Sequence, residues 1–203
     1  MRLYFAPTSP YVRKVMVVLH ETGQLDDTEI VSVYGTPMDP QSMPIAKNPL
    51  GKLPALERID GPTLYDSRVI TRYLDARADA GLYPAPPRLW ETLTLEATAD
   101  GILDAALLMV YEKRLRPDEL QMPDYVEGQW SKVARATAAL EALWMSHLQG
   151  RFDIGHIAVG CALGYLDFRL PDRDWRSANP ALSNWYAAFS ERPSMSATVP
   201  VNP

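Results

Sequence analysis

A proline-rich stretch divides the chain into two parts with different patterns of apolar residues. Residues 81–87 read Gly-Leu-Tyr-Pro-Ala-Pro-Pro, and such a stretch favours an extended linker of limited flexibility. Before it, short runs of strand composition alternate with helical repeats, whereas every periodic segment after it is helical. The pattern predicts two domains, over residues 1–77 and 88–203, joined by a linker over 78–87.

The first part predicts the order β-α-β, then a loop, then β-β-α. Pro10 suits the first turn of a helix and Gly23 its end, while the four prolines within residues 35–49 indicate a loop. The predicted strands are 2–6, 29–34, 53–57 and 62–65, and the predicted helices are about 10–22 and 66–77. This order matches a thioredoxin-like arrangement, in which a mixed four-stranded sheet carries helices on both faces.

The second part predicts only helices, so the expected fold class is α+β: a thioredoxin-like domain followed by an all-α domain. Proline or glycine ends each helical segment. The predicted helices are 89–116, 123–148, 154 to about 170 and 180 to about 191, and the tail over 194–203 is expected to be irregular.

The helix from Ile154 has the clearest start signals. Asp153 is expected to accept a backbone hydrogen bond as its N-cap, and Phe152 with Ile157 occupies the positions of a hydrophobic staple. Cys161 lies on its apolar face and is expected to be a small core residue. Gly160 and Gly164 would let a neighbouring helix approach closely. These features predict the central buried helix of the second domain.

Composition excludes several classes of function. The net charge is −5, with 20 Lys and Arg against 25 Asp and Glu, so the chain does not resemble a nucleic-acid-binding protein. One cysteine allows neither an intrachain disulfide nor a cysteine-pair metal site. The apolar stretch 154–166 is shorter than the roughly 20 residues of a membrane span. The histidines are scattered, at His20, His147 and His156, which predicts no metal site. A cytoplasmic protein without nucleic-acid, membrane or metal partners is expected.

Several segments together resemble the glutathione transferase family, and its bacterial YibF-like branch in particular. In the first part they are Thr8-Ser9-Pro10-Tyr11-Val12-Arg13-Lys14-Val15, Asn48-Pro49-Leu50-Gly51-Lys52-Leu53-Pro54 and Asp66-Ser67. In the second part residues 99–105 and 161–169 are similar to the same branch. The resemblance covers nearly the whole chain. The family's Ser/Thr-x-x-Asp capping box becomes Asp153-x-x-His156, which keeps the cap but changes the reciprocal acceptor.

The resemblance implies that glutathione is the co-substrate and that Ser9 is the catalytic residue. A hydroxyl at a helix N-terminus can donate to the glutathione thiolate, and the helix dipole favours that negative charge. Ser9 is alternatively a plain N-cap, and Thr8 and Tyr11 are the other candidate hydroxyls. The absence of cysteine at position 9 argues against the branches that form a mixed disulfide with glutathione.

The resemblance also implies which residues hold the rest of glutathione. Leu53, with Pro54 in the cis form, would pair its backbone with the cysteinyl part in the manner of an added strand. Ser67 would bind the γ-glutamyl carboxylate at a helix N-terminus, and Asp66 its ammonium group. Lys52 would meet the glycyl carboxylate, with Lys47 and Arg13 as weaker candidates.

By the same resemblance, a second substrate would bind between the domains, and the protein would be a homodimer with Arg68 facing the partner. The lining of that pocket is expected to suit a small, largely apolar electrophile. Its candidate residues are Tyr11, Asp104, Leu107, Leu108 and Tyr111, with Asp100 as a further polar member.

The resemblance favours an enzyme that conjugates reduced glutathione to an electrophile. Two alternatives stay open at this point. One is a non-catalytic binding or regulatory module of the same fold, and the other is a glutathione-dependent isomerase or peroxidase that uses the same site. Fold alone does not identify the substrate.

Overall fold

The computed structural model describes residues 1–202 and divides them into two compact units. The first contains Met1–Tyr83 together with the chain from Pro193 onward, and the second contains Pro84–Arg192. This division differs from the predicted one at the end of the chain, where the tail joins the N-terminal unit.

The first unit is built on a mixed four-stranded sheet with flanking helices. Its elements are β1 (Arg2–Phe5), α1 (Pro10–Glu21), β2 (Glu29–Ser32), β3 (Ala55–Arg58), β4 (Gly61–Leu64), α2 (Ser67–Ala78) and α8 (Pro193–Ser196). The strand order is β2-β1-β3-β4; β1 runs parallel to β2, and β3 runs antiparallel to β1 and β4. The predicted thioredoxin-like arrangement is confirmed, with strand ends shifted by one or two residues.

The core of this unit forms where α1 and α2 pack together beside the sheet. Apolar residues recur along α1 at helical spacing, which places them on one face, and Leu3 and Leu56 are completely buried on paired strands. Asp75 accepts hydrogen bonds from the backbone N–H groups of Leu82 and Tyr83, at 2.7 and 3.1 Å, and so fixes the chain that leaves α2.

The end of the chain packs on α1 rather than remaining irregular. Met195 in α8 is completely buried, and the guanidinium of Arg13 donates to its carbonyl at 3.1 Å. The hydroxyl of Ser194 donates to the carboxylate of Glu21. The prediction of an irregular tail over 194–203 is therefore wrong for residues 194–196, which belong to α8. This segment supplies an apolar side chain, a carbonyl acceptor and a hydroxyl donor to α1.

The second unit is all-helical, as predicted. Its elements are α3 (Arg88–Leu115), a 3₁₀ turn (Asp118–Leu120), α4 (Pro123–Leu143), α5 (Met145–Leu148), α6 (Ile154–Arg169) and α7 (Pro180–Ser190). The predicted single helix 123–148 is broken at Trp144, which caps both α4 and α5. The other helices lie within about two residues of their predicted limits.

Helix α6 is the buried centre of this unit and packs most extensively against α3. The two helices approach closely at Gly155, where a Cβ atom would lie only 3.0 Å from Cβ of Leu95. Cys161 is completely buried, as expected for a core cysteine. The start of α6 and its buried position were predicted from the sequence, whereas the close approach is seen at Gly155, which was not one of the two glycines predicted to allow it.

Candidate functional site

Sheet register brings three predicted segments of the first unit to one end of the sheet. Tyr4 pairs with Ala55, so the carboxyl end of β1 lies beside the amino end of β3. Leu56 of β3 pairs with Leu64 of β4, so the carboxyl end of β4 lies at this same end of the sheet. Ser9 follows β1, Leu53-Pro54 precedes β3 and Asp66-Ser67 follows β4. These segments, far apart in sequence, therefore converge.

Ser9 is the N-cap of α1. Its Oγ accepts a long hydrogen bond, 3.4 Å, from the N–H of Val12, and its own N–H donates to the carbonyl of Ala6 at 3.1 Å. Pro10 occupies the first helical position, where a missing N–H costs nothing. Because Oγ acts as the acceptor in the cap, its proton is left to donate toward a ligand. Ser9 can therefore cap α1 and donate a hydrogen bond to a ligand at the same time.

The neighbouring hydroxyls have different surroundings. Thr8 and Tyr11 are half-buried beside Ser9. Tyr4 donates to Glu57 at 2.6 Å, and this hydrogen bond is the main reason why the pKa of Tyr4 is raised. The hydroxyl of Tyr4 is thus committed to this hydrogen bond between β1 and β3.

The loop before β3 is shaped by Asn48. Its side chain is buried, with Oδ1 accepting from the N–H of Leu50 at 3.1 Å and Nδ2 donating to the carbonyl of Lys52 at 2.8 Å. Gly51 has a φ of +60°, a conformation that glycine adopts without strain. Sequence reasoning used Asn48 as part of a motif but did not identify this role. An Asn side chain that accepts from the backbone N–H two residues later forms an Asx turn, and an Asn at the start of a turn sequence is a recognised signal for this role.

The Leu53–Pro54 peptide bond is cis, as predicted. Pro54 is buried and Leu53 is half-buried immediately before β3, while the side chain of Lys52 is exposed. Lys47, a weaker candidate for the glycyl carboxylate, instead forms an ion pair with Glu57 at 2.5 Å. Arg13, the other weaker candidate, is engaged by the carbonyl of Met195.

Asp66 and Ser67 lie at the N-terminus of α2. Asp66 caps the helix by accepting from the N–H of Arg68 at 3.0 Å, and it also forms an ion pair with the Arg68 guanidinium at 2.8 Å. Burial acts to raise the pKa of Asp66, but Arg68 and the charge of Lys14 outweigh it, so this pKa lies below its usual value. Ser67 is the first helical residue and is 2% exposed.

These contacts concentrate charge at the start of α2. Asp66 is ionised, and the helix dipole directs positive potential to the same place. The N-terminus of α2 can bind a negative group, and the adjacent Asp66 carboxylate can bind a positive one. Together they suit a ligand that carries both charges, such as an amino acid end.

The predicted pocket residues of the second unit lie along α3. Asp104 is exposed, Leu108 is 43% exposed, and Leu107 and Tyr111 are half-buried. Burial raises the pKa of Tyr111, with a smaller opposing effect from the positive charge of Arg114. The remaining predicted residue, Tyr11, belongs to the first unit. Asp100 is 8% exposed.

A separate polar cluster surrounds Asp153 at the start of α6. Its Oδ1 accepts from the N–H of Gly155 at 3.0 Å, and its Oδ2 accepts from Thr92 at 2.9 Å and Arg88 at 3.2 Å. His147 lies 2.8 Å from the same oxygen. The capping box is complete, because Nδ1 of His156 lies 3.2 Å from the N–H of Asp153. Histidine therefore takes the reciprocal position in this box.

His147, Asp153 and His156 together form a group of the kind that holds metals, which the scattered sequence positions did not indicate. Their geometry is that of a hydrogen-bonded cap. The carboxylate already accepts from several donors, and the guanidinium of Arg88 stands 3.2 Å from Oδ2, where a cation would be repelled. Burial acts to raise the pKa of Asp153, but hydrogen bonds with His156, Thr92 and His147 outweigh it, so this pKa lies well below its usual value.

Comparison with known proteins agrees with this architecture. The family model described as "Glutathione S-transferase, N-terminal domain" matches residues 3–85, and the model for the C-terminal domain of the same enzymes matches residues 123–188. Fold and sequence thus define a protein with a thioredoxin-like N-terminal domain and an all-helical C-terminal domain. The chain belongs to the glutathione S-transferase family.

Individual relatives cover nearly the full length. The GST-like protein YibF of Escherichia coli K12 is 31% identical, over 98% of both chains. A glutathione transferase family member from Pseudomonas fluorescens Pf-5, solved with bound glutathione, is 48% identical, covers 99% of both chains and superposes with a TM-score of 0.96. The same protein was also solved with S-(propanoic acid)-glutathione. Within residues 1–202, no helix is both long and apolar enough to cross a membrane.

Proposed function

We propose that this protein conjugates reduced glutathione to a small electrophile, with Ser9 stabilising the thiolate. The observation that carries the proposal is the convergence of Ser9, Leu53-Pro54 and Asp66-Ser67 at one end of the sheet. The three segments supply a hydroxyl donor, an extended backbone and an anion-binding helix terminus within one unit. A γ-glutamyl tripeptide needs these three kinds of contact.

The proposed chemistry begins with the sulfur of glutathione. Hydrogen bonding from Ser9 Oγ and the dipole of α1 stabilise the thiolate, which lowers the thiol pKa and raises the reactive fraction at neutral pH. The thiolate then attacks the electrophilic carbon, a C–S bond forms, and the displaced group leaves with its electron pair. Holding both reactants in place supplies part of the acceleration.

The remaining contacts position the peptide. The backbone of Leu53 pairs with the cysteinyl residue, and Lys52 attracts the glycyl carboxylate as a point charge. The N-terminus of α2, with Ser67, receives the γ-glutamyl carboxylate. Asp66 receives the ammonium group and keeps its ion pair with Arg68, so Arg68 orients Asp66 rather than facing only a partner subunit.

Relatives support a glutathione ligand. The Pseudomonas protein that is 48% identical to this chain binds glutathione in one crystal and S-(propanoic acid)-glutathione in another. The second ligand is a thioether of glutathione, the kind of product that conjugation yields. We extend both observations to this chain as part of the proposal, and we propose a cytoplasmic location, where reduced glutathione is abundant.

Titration calorimetry with reduced glutathione tests the proposal, with Ser9→Ala and Thr8→Ala measured beside the wild type. We expect calorimetry to show saturable glutathione binding by all three proteins. Ultraviolet absorbance of the bound thiolate, recorded on the same complexes, should be lost in Ser9→Ala alone. Turnover by Ser9→Ala is expected to fall by about 10²-fold, the effect typical of a lost oxyanion donor. Ser131→Ala, on the exposed surface of α4, is the matched control.

Other results would select another function. Loss of thiolate in Thr8→Ala, but not in Ser9→Ala, would transfer the catalytic role to Thr8. Glutathione binding without thiolate formation would favour a non-catalytic binding module, and absence of binding would overturn the proposal. An isomerase or a peroxidase would use the thiolate but fail to accumulate a thioether, which mass spectrometry of the products distinguishes.

A further inference from the structure

The first unit contains a group of charged and hydroxyl side chains that the proposed mechanism does not use. It joins the two central strands of the sheet to the loop that precedes β3. We call it the Glu57 network, and its members are Arg2, Tyr4, Lys47 and Glu57.

Sheet register explains why the strand members of the network meet. Successive side chains of a strand point to opposite faces, so Arg2 and Tyr4 of β1 lie on the face opposite the buried Leu3. Arg2 pairs with Glu57 across β1 and β3, which puts the Glu57 carboxylate on the same face. The hydroxyl of Tyr4 donates to Oε1 of Glu57 at 2.6 Å, and Nη1 of Arg2 lies 3.8 Å from that oxygen. Glu57 therefore links the two central strands.

The second carboxylate oxygen of Glu57 reaches the loop before β3. Its Oε2 lies 2.5 Å from Nζ of Lys47. Lys47 directly precedes Asn48, whose side chain accepts from the N–H of Leu50 and donates to the carbonyl of Lys52. A continuous set of contacts thus runs from the sheet, through Glu57 and Lys47, to the part of the loop that carries Lys52.

Both members of the Lys47–Glu57 pair are charged at neutral pH. The hydrogen bond from Lys47, and after it the one from Tyr4, holds the pKa of Glu57 below its usual value, although burial opposes them. The hydrogen bond to Glu57 raises the pKa of Lys47. The Glu57 side chain is 23% exposed and that of Lys47 is 44% exposed, so solvent and salt screen the pair only in part.

Lys52 differs from Lys47 in its surroundings. Its side chain is exposed, and an ammonium group on a flexible four-carbon stem acts as a point charge. The position of its backbone therefore decides which anion it can reach. Lys47 carries the same charge, but Glu57 neutralises it. The ion pair thus holds one lysine of the loop in place, and the conformation of the loop positions the other.

We infer that Glu57 is a positioning residue for the glycyl end of glutathione, because through Lys47 it holds the loop in the conformation that presents Lys52 to the glycyl carboxylate. This inference rests on the proposed function, in which Lys52 meets that carboxylate. Glu57 acts only through Lys47, so its effect is on selectivity for the carboxylate and not on thiolate formation at Ser9.

Glutathione and its glycyl carboxamide test the inference, because they differ only in the carboxylate. We expect titration calorimetry on the full-length protein to show that the wild type prefers the acid by about tenfold, as for one charge-assisted contact. Glu57→Gln and Lys47→Met should each reduce this preference by about threefold to fivefold, the effect of a partly exposed ion pair. The double variant should lose no more than either single variant, since both changes break the same pair.

The control is Asp60→Asn, an exposed acid in the turn after β3 that pairs with Arg58 at 3.4 Å, and it should keep the preference of the wild type. A merely structural role of Glu57 would weaken binding of acid and amide equally, and this result would overturn the inference. A preference that rises in Glu57→Gln and falls in Lys47→Met would also overturn it, because Lys47 itself would then bind the carboxylate.

Thiolate absorbance and product analysis keep the two proposals separate. If the wild type forms the thiolate and the thioether while Glu57→Gln keeps the full acid preference, conjugation stands and the inference fails. If the wild type prefers the acid but forms neither thiolate nor thioether, conjugation fails, and a loss of preference in Glu57→Gln still supports the inference. Equal binding of both peptides by the wild type would remove Lys52 from the glycyl contact and overturn the inference alone.

Discussion

Single side chains set the shape of the glutathione end of the first unit. Asn48 forms two hydrogen bonds to the loop that carries Lys52 and leads to Leu53. Asn48 is 2% exposed, and an apolar replacement would remove the partners of the Leu50 N–H and the Lys52 carbonyl, whose hydrogen bonds to Asn48 are part-buried. Each such group costs about 1–3 kcal/mol.

Asn48→Ala is therefore expected to destabilise the protein by about 2 kcal/mol and to weaken glutathione binding more than its loss of stability alone explains. Urea denaturation and titration calorimetry measure the two effects. Asn184→Ala, at an exposed position of α7, should change neither. Unchanged glutathione affinity in Asn48→Ala would show that the loop is not part of the binding site.

For single residues, the sequence predicted which side chains lie at the site more reliably than it predicted their hydrogen-bond and ion-pair partners. Asp66-Ser67 was recognisable as a helix start, and the structure places it at the start of α2. The ion pair of Asp66 with Arg68, and of Lys47 with Glu57, depends on side-chain directions and on strand register. Neither is encoded in a short motif.

Among the elements, α6 depends most on one residue. The Asp153 carboxylate accepts from a backbone N–H, a threonine and an arginine, and it also contacts two histidines. Removing it leaves several buried donors unpaired, which is more costly than the loss of an ordinary cap.

Asp153→Ala is expected to lower the free energy of unfolding by about 3–5 kcal/mol, the range for a broken buried ion pair. The control Asp172→Ala, at an exposed position in the loop after α6, should leave it nearly unchanged. Asp153→Asn should fall between them, because it keeps an acceptor for Gly155 but loses the charge. Chemical denaturation of the three variants measures the order. Equal stability of Asp153→Ala and the wild type would contradict the central role of this cap.

The pH dependence of the same cap has a definite sign. The folded protein holds the pKa of Asp153 below its ordinary value, so the unfolded chain binds a proton more readily. Its contribution to stability is therefore complete above the unfolded pKa of about 3.9 and declines as the pH falls below that value. The difference in unfolding free energy between wild type and Asp153→Asn should therefore shrink as the pH falls below about 4, as measured by denaturation at several pH values.

Helix α6 also shows what the sequence predicts about elements. Its start follows from capping, and its buried cysteine follows from the apolar composition of the segment. The break at Trp144 between α4 and α5 does not, because residues 123–148 contain no internal proline and the helical pattern continues across the break. Tertiary packing decides such a boundary.

At the scale of the whole molecule, the end of the chain packs into the first unit and helps to stabilise it. Met195 is completely buried, and α8 packs on α1, the helix that begins at Ser9. Met195→Ala should therefore cost about 2–5 kcal/mol, the usual range for a large-to-small core substitution. Met38→Ala, at a side chain that is 75% exposed, is the matched control. Thermal unfolding compares them, and equal midpoints would show that α8 does not stabilise this unit.

At the scale of the whole molecule, we propose that the protein is a homodimer, because members of its family are typically dimers. In the first unit Leu50 is 66% exposed and Val69 is 46% exposed, and apolar side chains on a surface often mark an interface. We propose that both side chains contact a second copy of the chain. Sedimentation velocity should give a homodimer for the wild type and a monomer for the double variant Leu50→Glu and Val69→Glu, because buried unpaired carboxylates oppose association. Ile59→Glu, in the tight turn between β3 and β4 and fully exposed, should remain dimeric. A monomeric wild type, or a double variant that still dimerises, would place the contact elsewhere or remove it.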